Sequence, residues 1–180
     1  MEMDMGGYGI NVRRKGRIIA LFVVLALLAG ACAAPSAVQP GDGDSFTVTL
    51  SVRADTLLDN MHLLNNEMHE LVPDDGVIFP AAVVTAFEGE SVFDVLLREM
   101  RDAGIHMAFR NTPIYDSAYV TAINNIYEFD AGPLSGWMYR VNGEFPGRGS
   151  SRYFLLPDDV IEWVYTLDLG RDTGGALYDE

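Results

Sequence analysis

The sequence predicts an α+β domain built on a mixed sheet with one main helix. Three observations predict it. Ser91 to about Ala103 carries apolar residues at helical spacing behind a helix-start signal. Several short stretches, led by Phe46 to Ala54, alternate polar and apolar residues with the period of a half-buried strand. Late in the chain, the strand Gly136 to Val141 ends in Asn142-Gly143 and a second strand returns from Val160. Asn-Gly is a strong hairpin signal, because both residues tolerate positive φ.

In chain order, Phe46–Ala54 is the first strand. Leu57, Leu58, Met61, Leu64 and Met68 recur at helical spacing, so Thr56–Leu71 is expected to form a short, broken helix. Pro73-Asp74-Asp75-Gly76 is a turn, with Pro setting φ and Gly relieving it. A short extended piece at Val77–Pro80 and a strand at Ala82–Phe87 follow. In the main helix Ser91 is the N-cap, with Asp94 three residues on as in a capping box. Val92, Phe93, Leu96, Leu97 and Met100 form the buried face, Asp94 is spaced to pair with Arg98, and Gly104 is the stop. Further strands are expected at Ile105–Phe109, Tyr119–Ile123 and Ile126–Phe129, with a loop at Asn111–Ser117. The Trp137 strand, a loop at Gly147–Ser151 and the strand Val160–Leu167 complete the domain. The order of strand pair, helix, strands and final strand suits a β-grasp, a curved sheet holding one helix across its face.

The chain divides into a leader at 1–31, a tether at 32–45, a domain at 46–170 and a polar tail at 171–180. Arg13, Arg14, Lys15 and Arg17 precede the apolar run Ile18–Ala29, the layout of a secretory signal peptide. The run is too short for a comfortable membrane span. Leu28-Ala29-Gly30-Ala31-Cys32 resembles a lipoprotein lipobox, displaced by one residue, with the chain's single cysteine, Cys32, at the acylated position. Three outcomes stay open: lipidation at Cys32, cleavage after Ala31 with release, or an uncleaved anchor. The tether Ala33–Asp44 is rich in Pro, Gly, Ala and Ser. The protein is thus expected outside the cell membrane, anchored to its outer face or secreted.

The formal charge is −14, and the leader's basic residues outweigh Glu2 and Asp4 by two, so the remainder is near −16. Such a surface repels nucleic acid and anionic headgroups. The only lysine, Lys15, lies in the leader, which excludes Schiff-base chemistry in the domain. His62 and His69 stand seven apart without a thiolate or a His-x3-His pair, so no metal site is expected. There is no Gly-x-Ser-x-Gly elbow, and the carboxylates sit mostly in turns and caps, where Asp serves the backbone. No enzyme is expected. Trp137, Tyr139 and Val141 share one strand face, as do Trp163, Tyr165 and Leu167. At least one of these sets is expected to be core. The other would be an outward aromatic strip forming a flat ligand platform with the Phe145-Pro146-Gly147 tip.

Residues Phe46–Gly170 resemble the bacterial transcobalamin-like C-terminal domain family. The stretches that carry the resemblance include Thr56-Leu57-Leu58-Asp59-Asn60, Leu71-Val72-Pro73-Asp74-Asp75-Gly76, Glu90-Ser91-Val92-Phe93-Asp94, Asn111-Thr112-Pro113-Ile114-Tyr115, Asn124-Asn125-Ile126-Tyr127, Ser135-Gly136-Trp137-Met138-Tyr139-Arg140-Val141-Asn142-Gly143 and Trp163-Val164-Tyr165-Thr166-Leu167-Asp168-Leu169-Gly170. The resemblance implies a ubiquitin-like β-grasp and an exported, often lipid-anchored life. It also implies a flat ligand, cobalamin or another corrinoid, because the related domain of animal cobalamin carriers covers one face of the corrin. There a helical-barrel domain covers the other face, so a second surface protein is expected to supply that half here. The family's cysteine positions are occupied by Ala54, Ala131, Ser150 and Leu167, so the domain has no such disulfides. Gly136, Trp137, Tyr139, Asn142, Phe145 and Tyr153 are the expected ligand-binding residues. The alternative is a surface module that docks a protein or glycan without a small-molecule ligand.

Overall fold

Alternation in the first strand puts Val48, Leu50 and Val52 on one face, and all three are buried. That strand, β1 (Ser45–Arg53), is a central member of a mixed sheet in a computed structural model that describes residues 44–112 and 117–175. The described residues fall in one compact unit. The leader, Cys32 and the tether before Asp44, Pro113–Asp116 and the last five residues lie outside the described residues.

β1 pairs antiparallel with β2 (Val77–Phe87) and parallel with β7 (Val160–Thr166). β7 in turn pairs antiparallel with β6 (Gly136–Val141), giving the order β2-β1-β7-β6. A second sheet has the order β3-β4-β5, from Met107–Thr112, Ser117–Ile123 and Ile126–Tyr127. The helix α1 (Val92–Asp102) buries Val92, Phe93, Val95, Leu96 and Met100. These join Val48, Leu50, Val52, Ile161, Trp163 and Tyr165 of the mixed sheet, and Val120, Ile123 and Ile126 of the second, in a single core. This is the expected α+β, β-grasp-like architecture with one main helix.

The Ser91–Asp94 capping box forms with both reciprocal bonds, a local arrangement contributing about 1 kcal/mol. It occupies Asp94, so the expected Asp94–Arg98 pair does not form. Arg98 instead pairs with Glu90 and Glu99 and donates to the Thr85 carbonyl.

Other elements also differ from expectation. Thr56–Leu71 is not an α-helix but two 3₁₀ segments, Asp55–Leu63 and Asn66–Leu71, with a non-helical φ/ψ at Asn60. The tertiary tie of Thr56 Oγ1 to the Tyr165 carbonyl (2.6 Å) holds the first segment against β7. Val77–Pro80 and Ala82–Phe87 are one strand. Its register slips between Leu50↔Ala82 and Val52↔Phe79, so Pro80 sits at an irregularity of an edge strand, where its missing N–H is tolerated. Asn111, Thr112 and Ser117 are strand rather than loop, with Thr112 opposite Ser117. The start of the tail is ordered: Asp172 binds the Thr166 hydroxyl and accepts from the Leu167 N–H at 2.7 Å.

Candidate functional site

Antiparallel register decides the fate of the aromatics. Trp137 lies opposite Tyr165, and Tyr139 opposite Trp163, so both sets share one face of the sheet. That face is the core: Trp137 is 5% exposed and Tyr139 8%. Trp137 stacks edge-on to Tyr165 at 5.2 Å, and Tyr139 lies 5.4 Å from Trp163. Trp137 Nε1 donates to the Ile126 carbonyl at 2.8 Å, and the Tyr165 hydroxyl to the Tyr127 carbonyl at 2.8 Å. The rings thereby tie the mixed sheet to β5. The outward aromatic strip is corrected accordingly, because neither set is free on the surface.

The other expected ligand residues do not converge either. Gly136 is buried at the far end of β6 from Asn142. Asn142, at φ +53°, is a clamp whose Nδ2 donates to Asp159 Oδ1 (2.8 Å) and whose Oδ1 accepts from the Val160 N–H (2.9 Å). Phe145 and Tyr153 are half-buried, with Tyr153 edge-on to Tyr139 at 6.3 Å.

Together these residues anchor the long connection between β6 and β7. The Tyr139 hydroxyl donates to the Arg148 carbonyl at 2.8 Å, and the Val92 N–H binds the Tyr153 carbonyl at 3.0 Å. Between Phe145 and Leu156 this loop carries Arg148 and Arg152 and no carboxylate, in an otherwise acidic domain. Leu155 plugs the core, while its neighbours Phe154 and Leu156 are 61% and 66% exposed. The loop therefore presents two apolar side chains to solvent on an anchored backbone.

Beside the loop lies a groove of about 510 Å³, lined by Phe93, Asp94, Asn111, Thr112, Ser117, Ala118 and Ser151. Sequence reasoning did not single these residues out as a site, since they are separated in the chain and each is ordinary in its own element. The only early trace of it was that Asn111-Thr112 and Phe93-Asp94 fall inside the stretches that carry the family resemblance.

Three tyrosines have raised pKa values. Burial lifts the Tyr119 hydroxyl to about 12, with the neighbouring Glu128 carboxylate adding and Arg110 opposing. Burial likewise raises Tyr139 against the pull of Arg148, and raises Tyr165 against its bond to Ser135. None of the three is a phenolate base near neutrality. His69 Nε2 is bonded to the Met61 carbonyl at 2.9 Å. Among the described residues no group of three or more His, Cys, Asp or Glu is placed to hold a metal ion, and no helix is long and apolar enough to cross a membrane.

A family model described as a domain of unknown function (DUF4430) matches residues 89–166, from the turn before α1 to the end of β7. No curated protein matches the sequence. Seventeen chains of solved structure match. One is haptocorrin in complex with Cbi, at a TM-score of 0.51 and 17% identity, over 70% of this chain and 26% of that one. Another is a candidate metal-binding protein from Ruminococcus gnavus ATCC 29149, at a TM-score of 0.43 and 11% identity, over 67% of this chain and 96% of that one. This chain therefore spans about a quarter of the haptocorrin length. At such identity the haptocorrin likeness is one of fold alone.

Proposed function

We propose that the protein is an exported, non-catalytic ligand-binding module, held at the outer face of the membrane by a lipid on Cys32. Its β6–β7 loop takes one face of a corrinoid such as cobalamin. The observation that carries this reading is the exposed pair Phe154 and Leu156, presented on a loop fixed from beneath by Tyr139, Asn142 and Leu155. A flat macrocycle gains from apolar area at low entropic cost, and an anchored loop loses little freedom on binding. The ligand class is suggested by haptocorrin, similar in fold and solved with Cbi. One exposed surface covers one face only, so a second surface protein would cover the other.

The test is quenching of Trp137 and Trp163 emission by cobinamide, using the full chain in detergent. A dissociation constant of about 1–10 μM is expected, weakened at least about tenfold in Phe154→Ser/Leu156→Ser. Both positions are exposed, so circular dichroism should not change. Absence of quenching, or equal affinity in the double variant, removes the corrinoid site. The same exposed pair would also suit docking of another surface protein, and that reading gains if the double variant loses a crosslinked partner while cobinamide never binds.

Lipid attachment has its own test. Cys32→Ser should move the protein from the membrane pellet to the soluble fraction. Retention in the pellet of a variant whose leader is shown by mass spectrometry to have been removed would show that Cys32 is not the anchor.

A further inference from the structure

We infer that the outer edge of β2 is a pairing surface for a second copy of this chain, the two β2 strands meeting antiparallel about a twofold axis at Val83. The surface is separate from the exposed pair used above and does not rest on the corrinoid reading.

β2 ends the order β2-β1-β7-β6, so among the described residues no strand covers its outer side. Proteins blunt such an edge with charge, with Pro or with an irregular register. Here the two ends are blunted and the middle is not. The Phe87 N–H donates to Glu90 Oε2 at 3.0 Å, and the Thr85 carbonyl accepts from Arg98. At the other end the Val77 N–H donates to Asp75 Oδ1 at 3.0 Å, and Pro80 sits at the register irregularity. Val83 lies between these guards. Its partner in register, Thr49, turns its own N–H the other way, to the Asp159 carbonyl on the β7 side at 2.8 Å. Thr49↔Val83 is therefore a pair that exchanges no main-chain bonds, and the Val83 N–H and C=O face away from β1. Among the described residues no side chain or loop caps them.

Charge selects the partner. β2 reads VIFPAAVVTAF, without one charged side chain. β1 beside it has only Arg53, which pairs with Asp55 at 3.1 Å. The domain as a whole is near −16, so most of its surface repels a second copy. Two β2 edges can meet with no like charges directly opposed. Val83 is the most exposed large hydrophobic among the described residues, at 72%, and its β-branched side chain suits a strand pair. A twofold axis there sets Val83 opposite itself. The two residues then exchange N–H···O=C bonds in both directions, and two four-stranded sheets become one of eight. A contact confined to one edge is small, so a dissociation constant of about 10–100 μM is expected. Salt should tighten it, since screening weakens the repulsion between two acidic domains.

The test is light scattering behind size exclusion on the full chain in detergent, with reductant present so that Cys32 cannot crosslink. The mass per protein should rise from monomer to dimer between about 1 and 200 μM. Exchange of the Val83 amide hydrogen should slow at least about fivefold over the same range. Val83→Lys sets two cations against each other at the axis, and should weaken dimerisation at least about tenfold with circular dichroism unchanged. Val83→Thr, uncharged and still a strand former, should dimerise as the parent does. A monomer at every concentration overturns the proposal. So does a dimer that survives Val83→Lys, which would lie on another surface or arise from two chains sharing a micelle. Cobinamide titration reads the corrinoid site and should be the same in Val83→Lys and the parent, so the two readings fail separately.

Discussion

Trp137→Ala is expected to destabilise the domain by about 4 kcal/mol, the usual cost of deleting a large buried aromatic side chain. Three losses combine. The indole is 5% exposed, so its removal leaves a cavity between the β6–β7 pair and β5. The edge-on contact with Tyr165 at 5.2 Å disappears. The Ile126 carbonyl, which accepts from Trp137 Nε1 at 2.8 Å, is left without that donor inside the core. Small domains have only about 5–15 kcal/mol in total, so the variant would sit near the edge of folding. A urea titration followed by circular dichroism measures it. A loss under about 1 kcal/mol would mean that the ring is not packed between the sheets. The expectation also decides how ligand experiments are designed, because a Trp137 variant that no longer binds would report unfolding and not a missing contact. Phe154→Ser, at a 61% exposed position, is the variant that keeps the fold.

The same pair of strands shows how far the sequence is legible. Period-2 alternation places Trp137 with Tyr139, and Trp163 with Tyr165, on shared faces. It cannot say that the two faces coincide, since that depends on the register Trp137↔Tyr165. Once the register stacks four rings on one side, that side must be the core. The helix α1 was legible because its capping box and apolar stripe lie within twelve residues. Thr56–Leu71 had helical spacing of its apolar residues, but tertiary ties and the break at Asn60 gave two tight 3₁₀ pieces. The groove was the least legible feature. Ser117 and Ser151 are 34 positions apart, and nothing in either residue announces that their hydroxyls meet. In Phe154-Leu155-Leu156 the sequence shows three apolar residues, and only the closed fold reveals that the middle one alone is buried.

Gly76→Ala is expected to cost about 3 kcal/mol, far more than the same change at Gly89. Both glycines have positive φ, +70° and +84°, so both variants carry the left-handed backbone penalty of about 1 kcal/mol. Both also gain the same small benefit from a less flexible unfolded chain. They differ in surroundings. A Cβ at Gly89 meets nothing within 4 Å, whereas at Gly76 it would stand 2.5 Å from Asp55 Cα and 2.8 Å from Asp55 N. Those are backbone atoms at the junction of β1 with the first 3₁₀ segment, and they cannot swing aside as a side chain would. The junction is held by the Ala54 N–H donating to the Gly76 carbonyl at 2.7 Å, while the Gly76 N–H donates to the Pro73 carbonyl at 2.8 Å. Relief of the overlap therefore pulls the turn off the end of β1 and breaks a bond next to the fully buried Ala54, Val52 and Leu57. Paired urea titrations of the two variants isolate the steric part, because the backbone contributions cancel in the difference. Equal losses at the two positions would show that the turn does not close against Asp55. A difference of about 2 kcal/mol would establish that this glycine is required by close approach and not by turn geometry alone.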